Sequence, residues 1–276
     1  MRSTAWPDEG AIAVTALGHL DEHRPGAIFS RTRSGRTLVV LPPEVGTLAK
    51  ARLAWARWLV SPSAPVDRLF VARHAESECN VKGLINANPS SERSPLTARG
   101  RLQARSLADR LATSKVEVCV TSETLRAVQT AEIVAKAFSI PVVRTSLLDD
   151  PPAGIFEDGP VEAFADWMNA CDADTPVPGT TVTLRDSARR YFDAVGLMLE
   201  RPEGTVLIVA HAPVLRWIVQ AVQKRNDPLD YRQPLFPHAD PVEVDVTALR
   251  QRLASLASDP FEVLSGSKEI GHPSGQ

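Results

Sequence analysis

The chain has 276 residues, with 31 basic and 33 acidic side chains and a formal net charge of -2. This length suits one α/β domain of about 200 residues plus an additional element. The balanced charge excludes a general electrostatic attraction to nucleic acid or to an anionic membrane surface, so neither is expected as a partner.

The cysteines and the longest apolar runs indicate a cytoplasmic protein. Cys79, Cys119 and Cys171 are widely spaced and form no CxxC pair, which argues against a disulfide framework or a zinc site. The apolar runs have the length of a strand and not that of a membrane span, and no signal-peptide core follows the first residues.

Residues 1–64 form a predicted accessory segment of unknown role. A turn at Ser34 and Gly35 precedes an expected strand at 37–41, and an apolar-rich helix is expected from about residue 44 to 60. The Pro- and Ser-rich stretch at 61–65 is typical of a linker. The helix would pack on the main domain or would form an interface, with a partner protein or with a second copy of the chain.

Residues 65–250 are predicted to form one α/β domain with a mostly parallel sheet. Short β-rich runs at 69–72, 116–120 and 206–210 alternate with helical periodicity at 96–111, 124–138 and 184–199, and such alternation is typical of βα units. Thr97 is the expected N-cap of the first helix. A last strand is expected at 242–246, and residues 251–276 are expected to be a C-terminal helix or a frayed tail.

Two histidines directly follow predicted strands. Arg73 and His74 come after the first run, and His211 comes after the run at 206–210 and before a helix expected near residue 213. Ligands bind at the carboxyl ends of strands in such sheets, so both imidazoles can face one anion, with N–H groups of the helix start around 212–214 beside it. The remaining histidines have no paired motif and are interpreted as structural or surface residues; they are His19, His23, His238 and His272.

Arg126, expected on the first turn of the helix after the 116–121 strand, adds a third cationic group. The guanidinium groups of Arg73 and Arg126 match phosphate oxygens in geometry, and a neutral imidazole is nucleophilic near pH 7. The sequence therefore indicates a phosphoryl-transfer site with a histidine nucleophile.

The departing alcohol of such a reaction needs a proton, and an acidic loop between residues 147 and 159 offers four donors. They are Asp149, Asp150, Glu157 and Asp158. Each would serve only if its pKa were raised, and the residues alone leave the four equivalent.

Four ordered segments resemble the motifs of a known family. Residues 71–80, VARHAESECN, are similar to an Arg-His-Gly-Glu-Ser/Thr motif with the Asn that follows it, and residues 94–104 are similar to "PLT..G..QA". Residues 121–131 are similar to "S..LRA.QTA", and residues 209–216 to "V.HG..IR". On these segments the chain resembles the histidine phosphatase superfamily, which implies a three-layer α/β/α, phosphoglycerate mutase-like fold.

The resemblance implies a role for each matched residue. His74 would be the phosphorylated nucleophile and Asp150 the general acid, because residues 150–157 align best with the family's "E...G.WEG" segment. His211 would take part in catalysis and in phosphate binding. The phosphate-binding set is Arg73, Asn80, Arg126, His211 and Ala212. No metal ion and no cofactor is implied.

Two departures from the family pattern bear on the phosphate site. Ala75 and Ala212 stand where the family usually has glycine, and a methyl group there is expected to tighten the pocket or to reshape its backbone donors. Residues 1–64 match nothing in the family.

The predicted activity is that of a metal-independent phosphatase, which hydrolyses a phosphomonoester through a phosphohistidine on His74. The family's mutases have an insertion rich in Tyr and Arg, whereas residues 156–183 contain neither. The partner of such an enzyme would be a small phosphorylated substrate or a phosphoprotein. A phosphoglycerate mutase-like phosphotransferase is the alternative within the family, and a non-catalytic module that binds a phospho-ligand or a protein is the alternative outside it.

Overall fold

The computed structural model describes residues 66–223, 236–256 and 260, and the backbone of three short strands before residue 42. By its contacts the chain divides into a unit of Met1–Pro65 with Glu200–Pro202, and a unit of Val66–Leu199 with Glu203–Gln276.

The first unit contains an antiparallel sheet. Its strands are β1 (Ile12–Thr15), β2 (Ile28–Arg31) and β3 (Thr37–Leu41), in the order β1-β3-β2. The strand expected at 37–41 is confirmed as β3, and the helix expected at about 44–60 lies outside the described residues.

Within the described part of the second unit, one five-stranded sheet has the order β6-β5-β7-β4-β8. β4 to β7 run parallel to one another, and β8 is antiparallel to β4 at the edge. The mostly parallel sheet that the sequence predicts is therefore confirmed. The strands are β4 (Arg68–Arg73), β5 (Val118–Thr121), β6 (Val142–Arg144), β7 (Thr205–Ala210) and β8 (Pro241–Val244).

Helices connect these strands, and the three long predicted helices are confirmed as α2 (Ala98–Leu111), α3 (Leu125–Phe138) and α5 (Leu184–Leu199). Thr97 caps α2 as expected, because its Oγ1 accepts a hydrogen bond from the Gly100 amide at 2.9 Å. The helices described are α1 (Glu78–Lys82), α2 (Ala98–Leu111), α3 (Leu125–Phe138), α4 (Val161–Ala170), α5 (Leu184–Leu199), α6 (Ala212–Gln223) and α7 (Val246–Leu256).

Helices cover both faces of the sheet. Alternate strand residues such as Phe70 and Ala72 of β4, and Leu207 and Val209 of β7, pack in one buried cluster with side chains of α2 and α3. α6 packs against β4 and also contacts α5 and α7. Successive side chains of a strand point to opposite faces, so a sheet covered in this way reads as continuous apolar runs. The three-layer α/β/α architecture is confirmed.

The C-terminal part of this unit ends in α7, whose Leu249, Leu253 and Leu256 are buried. Residue 250, where the sequence analysis places a boundary, lies inside this helix, and residues 261–276 lie outside the description. β8 ends at Val244, before the predicted end at residue 246, because α7 begins there.

No helix among the described residues combines the length and the apolar character needed to cross a bilayer.

Candidate active site

Three neighbouring parallel strands end at one edge of the sheet, and the residues after them form the candidate site. β4 ends at Arg73 beside Ala210, the last residue of β7, and the His74 amide donates to the Ala210 carbonyl at 2.8 Å. As a result, the ring centroids of His74 and His211 are 5.2 Å apart. Ser122 follows β5, and its Oγ lies 2.8 Å from Nε2 of His211. The two histidines therefore meet at the edge where the parallel topology predicts a ligand site.

The hydrogen bonds of His74 fix its tautomer. The ring is 3% exposed, and Nδ1 lies 2.8 Å from the carbonyl oxygen of Ala75. A carbonyl can only accept, so Nδ1 carries the hydrogen and Nε2 carries the lone pair, to which Nε of Arg126 donates at 3.1 Å. Burial, followed by the nearby Arg126 charge, holds the pKa of His74 well below its ordinary value. His74 is thus a neutral imidazole with Nε2 as its available nucleophilic atom.

Arg126, on the first turn of α3, joins the separate parts of the site. Its Nη1 donates to the carbonyl of Asn86 at 2.7 Å, and its Nη2 donates to Oδ2 of Asp150 at 2.6 Å. Nη2 also lies 3.2 Å from Nδ1 of His211. The buried guanidinium of Arg126 therefore contacts both histidines, the carboxyl group of Asp150 and the backbone carbonyl of Asn86.

Asp150 is the acidic residue of the 147–159 loop whose carboxyl group contacts His211 and Arg126. Its Oδ2 lies 3.0 Å from Nδ1 of His211 and accepts from Arg126. Burial raises the pKa of the Asp150 carboxyl, although the Arg126 and Arg73 charges act in the opposite direction. A carboxyl group with a raised pKa beside a nucleophile is suited to proton donation.

The other three acidic candidates are occupied elsewhere. Asp149 accepts a backbone N–H at 2.8 Å through Oδ1, and burial raises its pKa to about 6. Glu157 accepts two backbone amides of the 86–88 loop, and Asp158 pairs with an arginine at the exposed surface. The side-chain contacts therefore separate Asp150 from the alternatives that the sequence leaves equivalent.

His211 is held at the start of α6. Its ring is buried, its Nε2 also lies 3.3 Å from Oγ1 of Thr124, and α6 begins at the next residue, Ala212. Burial, followed by the Arg126 charge, holds the pKa of His211 well below its usual value. Backbone N–H groups of the first helical turn are favourable donors for an anion.

Arg73 and Asn80 complete the predicted phosphate-binding set. Nη1 of Arg73 donates to the Phe236 carbonyl at 3.3 Å, and its buried Nε has no hydrogen-bond partner among the described residues. Oδ1 of Asn80 accepts hydrogen bonds from the amide and the hydroxyl of Ser77 at 3.1 and 2.9 Å. Ser77 is the N-cap residue of α1, so these hydrogen bonds fix the start of that helix. Arg73 and Asn80 both border the same cavity.

This cavity has a volume of about 340 Å³, and all the predicted site residues border it. Its polar and charged lining residues are Arg73, His74, Ser77, Asn80, Asn86, Ser94, Arg126, Asp150, His211 and Arg216, and the others include Leu84, Ile85, Val161, Phe164 and Met168. Among the described residues, no cluster of three or more His, Cys, Asp or Glu side chains could hold a metal ion.

The model of the histidine phosphatase superfamily, branch 1, matches residues 69–258. The chain belongs to this superfamily. A probable phosphoglycerate mutase, GpmB of Klebsiella pneumoniae, is 27% identical over 163 residues, which cover 56% of this chain and 74% of that protein.

Two solved structures share the fold of this chain. The structure of YhfR from Bacillus stearothermophilus is 29% identical, covers 64% of this chain and 89% of its own, and superposes with a TM-score of 0.55. The alpha-ribazole phosphatase of Shigella flexneri has the same fold, with 23% identity, a TM-score of 0.52, and coverage of 65% of this chain and 90% of its own. The phosphoglycerate mutase-like fold implied by the motifs is confirmed.

The two alanines that replace the superfamily's usual glycines adopt ordinary backbone conformations. Neither Ala75 nor Ala212 is among the described residues with a positive φ, so neither position requires glycine for its conformation. Ala75 is fully buried, and its amide donates to Oγ1 of Thr130 at 3.0 Å. Its methyl group therefore lies in the core, and its amide is already used to fix the loop that holds His74.

His238, which is interpreted from the sequence as a structural or surface residue, lies next to the site. Nδ1 of His238 donates to the carbonyl of His74 at 2.9 Å, and the two ring centroids are 5.4 Å apart. Residue 238 forms a β-bridge with Arg73 just before β8. Only the pairing of β8 with β4 places it there, and no motif in the sequence signals it.

Arg216 also borders the site; it is the last residue of the matched 209–216 segment but is not in the predicted phosphate-binding set. Arg216 is buried on α6, four residues after Ala212, and borders the cavity. Because residues four apart lie on the same helix face, this spacing was a usable signal.

Proposed function

We propose that this histidine phosphatase superfamily member is a phosphatase, which hydrolyses a phosphomonoester through a phosphohistidine on His74. The neutral His74 imidazole carries this proposal, because its Nδ1 hydrogen is committed to a carbonyl while Nε2 faces Arg126 in the cavity. A base in that state can attack phosphorus only through Nε2.

In the first step, Nε2 of His74 attacks phosphorus while the ester P–O bond breaks. Asp150 gives its proton to the departing oxygen, so the product is a neutral alcohol. A bound phosphate would accept the Arg126 N–H groups that now contact His74 and Asp150, which frees the lone pair and the carboxyl group for these roles. Arg73, Arg126 and His211 would stabilise the charge of the transferring group.

In the second step, water attacks the phosphohistidine. The Asp150 carboxylate takes a proton from that water, the P–N bond breaks, and inorganic phosphate leaves. The imidazole returns to its neutral form and Asp150 is protonated again, so each group ends in its starting state.

Phosphoglycerate mutase activity is the alternative that the name of the GpmB relative raises. A mutase must hold the carboxylate of a phosphoglycerate during re-transfer, which calls for cationic or hydroxyl groups beyond the phosphate site. Residues 156–183 contain no Tyr and no Arg, and from this range the cavity is bordered by Val161, Phe164 and Met168. These side chains favour water over a second phosphoglycerate as the acceptor.

A non-catalytic module that binds a phospho-ligand is the alternative from another class. Such a module needs cationic groups for the phosphate, but it needs neither a neutral nucleophile nor a carboxyl group with a raised pKa. The presence of both, in contact with one guanidinium, favours an enzyme.

Hydrolysis of p-nitrophenyl phosphate in EDTA tests the proposal. Wild-type protein should turn over this ester, and His74→Ala should lose activity by about a thousandfold or more. Retained turnover in His74→Ala would exclude His74 as the nucleophile. Conversion of 3-phosphoglycerate to 2-phosphoglycerate faster than phosphate release would indicate the mutase.

A further inference from the structure

We infer that the leaving-group side of this cavity selects phosphomonoesters of apolar alcohols or phenols, through an apolar wall made of Leu84, Ile85, Val161, Phe164 and Met168. This inference rests on the proposed phosphatase function and names the substrate class of that same site.

The apolar wall has two halves, Leu84 and Ile85 on one side and the α4 residues Val161, Phe164 and Met168 on the other. Backbone hydrogen bonds join the chain segments that carry them. Leu84 forms a β-bridge with Pro160, and the Ile85 amide donates to a carbonyl of the same segment at 2.9 Å. The amide of Val161, the first residue of α4, donates to the Gly83 carbonyl at 2.9 Å. The residues of both halves are therefore fixed beside each other without a contribution from the substrate.

A small cluster of aromatic side chains packs with the residues of the apolar wall and shares Phe164 with it. Phe164 is buried and stacks on Trp167 with ring centroids 6.0 Å apart, and Phe156 lies 5.3 Å from Phe164. Ile85 and Met168 pack against the same cluster. The wall is thus part of a small hydrophobic core and is preorganised for an apolar group.

The apolar wall adjoins the phosphate end of the cavity. Ile85 is followed by Asn86, whose carbonyl accepts from Arg126 at 2.7 Å. A phosphoryl group at Arg126 would consequently place its ester oxygen and its alcohol beside the wall.

The charged side chains of the cavity lie outside the apolar wall. Among the described residues, the charged and imidazole side chains that border the cavity are Arg73, His74, Arg126, Asp150, His211 and Arg216, and they come from the strand ends, α3, α6 and the Asp150 loop. The residues of the apolar wall add no charge. A carboxylate or a row of hydroxyls on the leaving group would lose water against this surface without gaining a partner, whereas an alkyl or aryl group gains from burial.

Alkyl monophosphates of increasing chain length test this inference. Ethyl, butyl and hexyl phosphate have the same intrinsic reactivity, so a change in kcat/KM among them reports contact with the leaving group. We expect kcat/KM to be about tenfold or more higher for hexyl than for ethyl phosphate, and about tenfold or more lower for 3-phosphoglycerate than for butyl phosphate. The matching alkylphosphonates, which cannot be cleaved, should bind with an affinity that rises in the same order.

A matched pair of valine variants locates the effect. Val161 is 41% exposed and borders the cavity, whereas Val81 on α1 is 63% exposed and does not. Val161→Thr should lower the ratio of hexyl to ethyl kcat/KM by about threefold, the effect of replacing one methyl group that the alkyl chain would cover with a hydroxyl. Val81→Thr should leave that ratio unchanged, and Met168→Lys should raise the relative kcat/KM for 3-phosphoglycerate.

The outcomes separate this inference from the proposed function. Turnover with His74 phosphorylation, but with a flat chain-length series or a preference for 3-phosphoglycerate, would overturn the substrate class alone. Absence of turnover and of phosphohistidine with every ester would overturn the phosphatase. Phosphonate affinities that do not rise with chain length would refute the apolar subsite whether or not turnover occurs.

Discussion

Asp150→Asn removes the proposed proton donor with little change in shape. The amide oxygen of Asn can still accept from Nη2 of Arg126, which lies 2.6 Å from Oδ2 in the native protein, so the loop should keep its position. The amide cannot give a proton to a departing alkoxide. General acid catalysis contributes about 10²- to 10⁴-fold, so we expect kcat/KM for butyl phosphate, which does not include the later attack of water, to fall about 10³-fold, or about 4 kcal/mol of transition-state stabilisation.

p-Nitrophenyl phosphate provides the internal comparison, because p-nitrophenolate leaves without protonation. Its kcat/KM, which covers only the steps through phosphorylation of His74, should fall by less than about tenfold in Asp150→Asn, since His74 and the arginines are intact. Asp149→Asn is the matched control: this neighbouring carboxyl group accepts a backbone amide and is not among the residues that border the cavity. Equal losses for both esters in Asp150→Asn, or the same selective loss in Asp149→Asn, would refute the assignment.

The pH profile of the same assay gives a second readout of the donor. Burial raises the pKa of Asp150, and the acid acts only while it is protonated, so kcat/KM for butyl phosphate should decline as pH rises through that pKa. This decline should be absent in Asp150→Asn. The nucleophile should remain neutral below pH 6.5, because the pKa of His74 lies well below this ordinary value.

Three further changes are expected to alter stability in ways that denaturant unfolding and pH can resolve. Gly154→Ala should cost more free energy of unfolding than Gly83→Ala, because both glycines have a positive φ but only at 154 would the new Cβ collide with a backbone carbonyl; equal losses would contradict this. Burial raises the folded-state pKa of Asp149 to about 6, so between pH about 4 and about 6 the native state binds a proton that the unfolded state has lost, and the free energy of unfolding falls as pH rises. Asp149→Asn should remove this fall, and an unchanged pH profile of stability would refute the assignment. His238→Phe should cost about 1 to 3 kcal/mol because it leaves the buried His74 carbonyl without its donor, whereas His238→Asn should restore part of this loss.

The meeting of His74 and His211 could be predicted from the sequence because it follows from topology. Each histidine directly follows an apolar run, and parallel strands bring their carboxyl ends to one edge of a sheet. The N-cap at Thr97 was predictable for a similar reason, since a local pattern and a local hydrogen bond decide it.

The assignment of Asp150 could not be made from the residues alone. Four acidic side chains share one loop, and their environments depend on side-chain direction and on residues far away in the sequence, such as Arg126 and the 86–88 loop. The superfamily motif selected Asp150, whose Oδ2 lies 3.0 Å from Nδ1 of His211 in the structure. His238 gave no signal, because only the pairing of β8 with β4 brings it to His74.

The short elements were missed because their periodicity covers too few residues. α1 has five residues and β6 has three. Both elements are too short for the helical or the strand periodicity of apolar residues to be recognised. α4 has ten residues with an apolar face of Val161, Phe164 and Met168, but it becomes informative only when its packing beside Leu84 and Ile85 is known.

Trapping the phosphorylated protein tests directly whether His74 is the residue that accepts the phosphoryl group. Wild-type protein would be mixed with p-nitrophenyl phosphate, quenched in alkali, in which phosphohistidine survives, and mapped by mass spectrometry. We expect one phosphoryl group on His74 that is lost in acid and absent from His74→Ala. Turnover with no phosphoryl group on His74, or with the group on another residue, would contradict it.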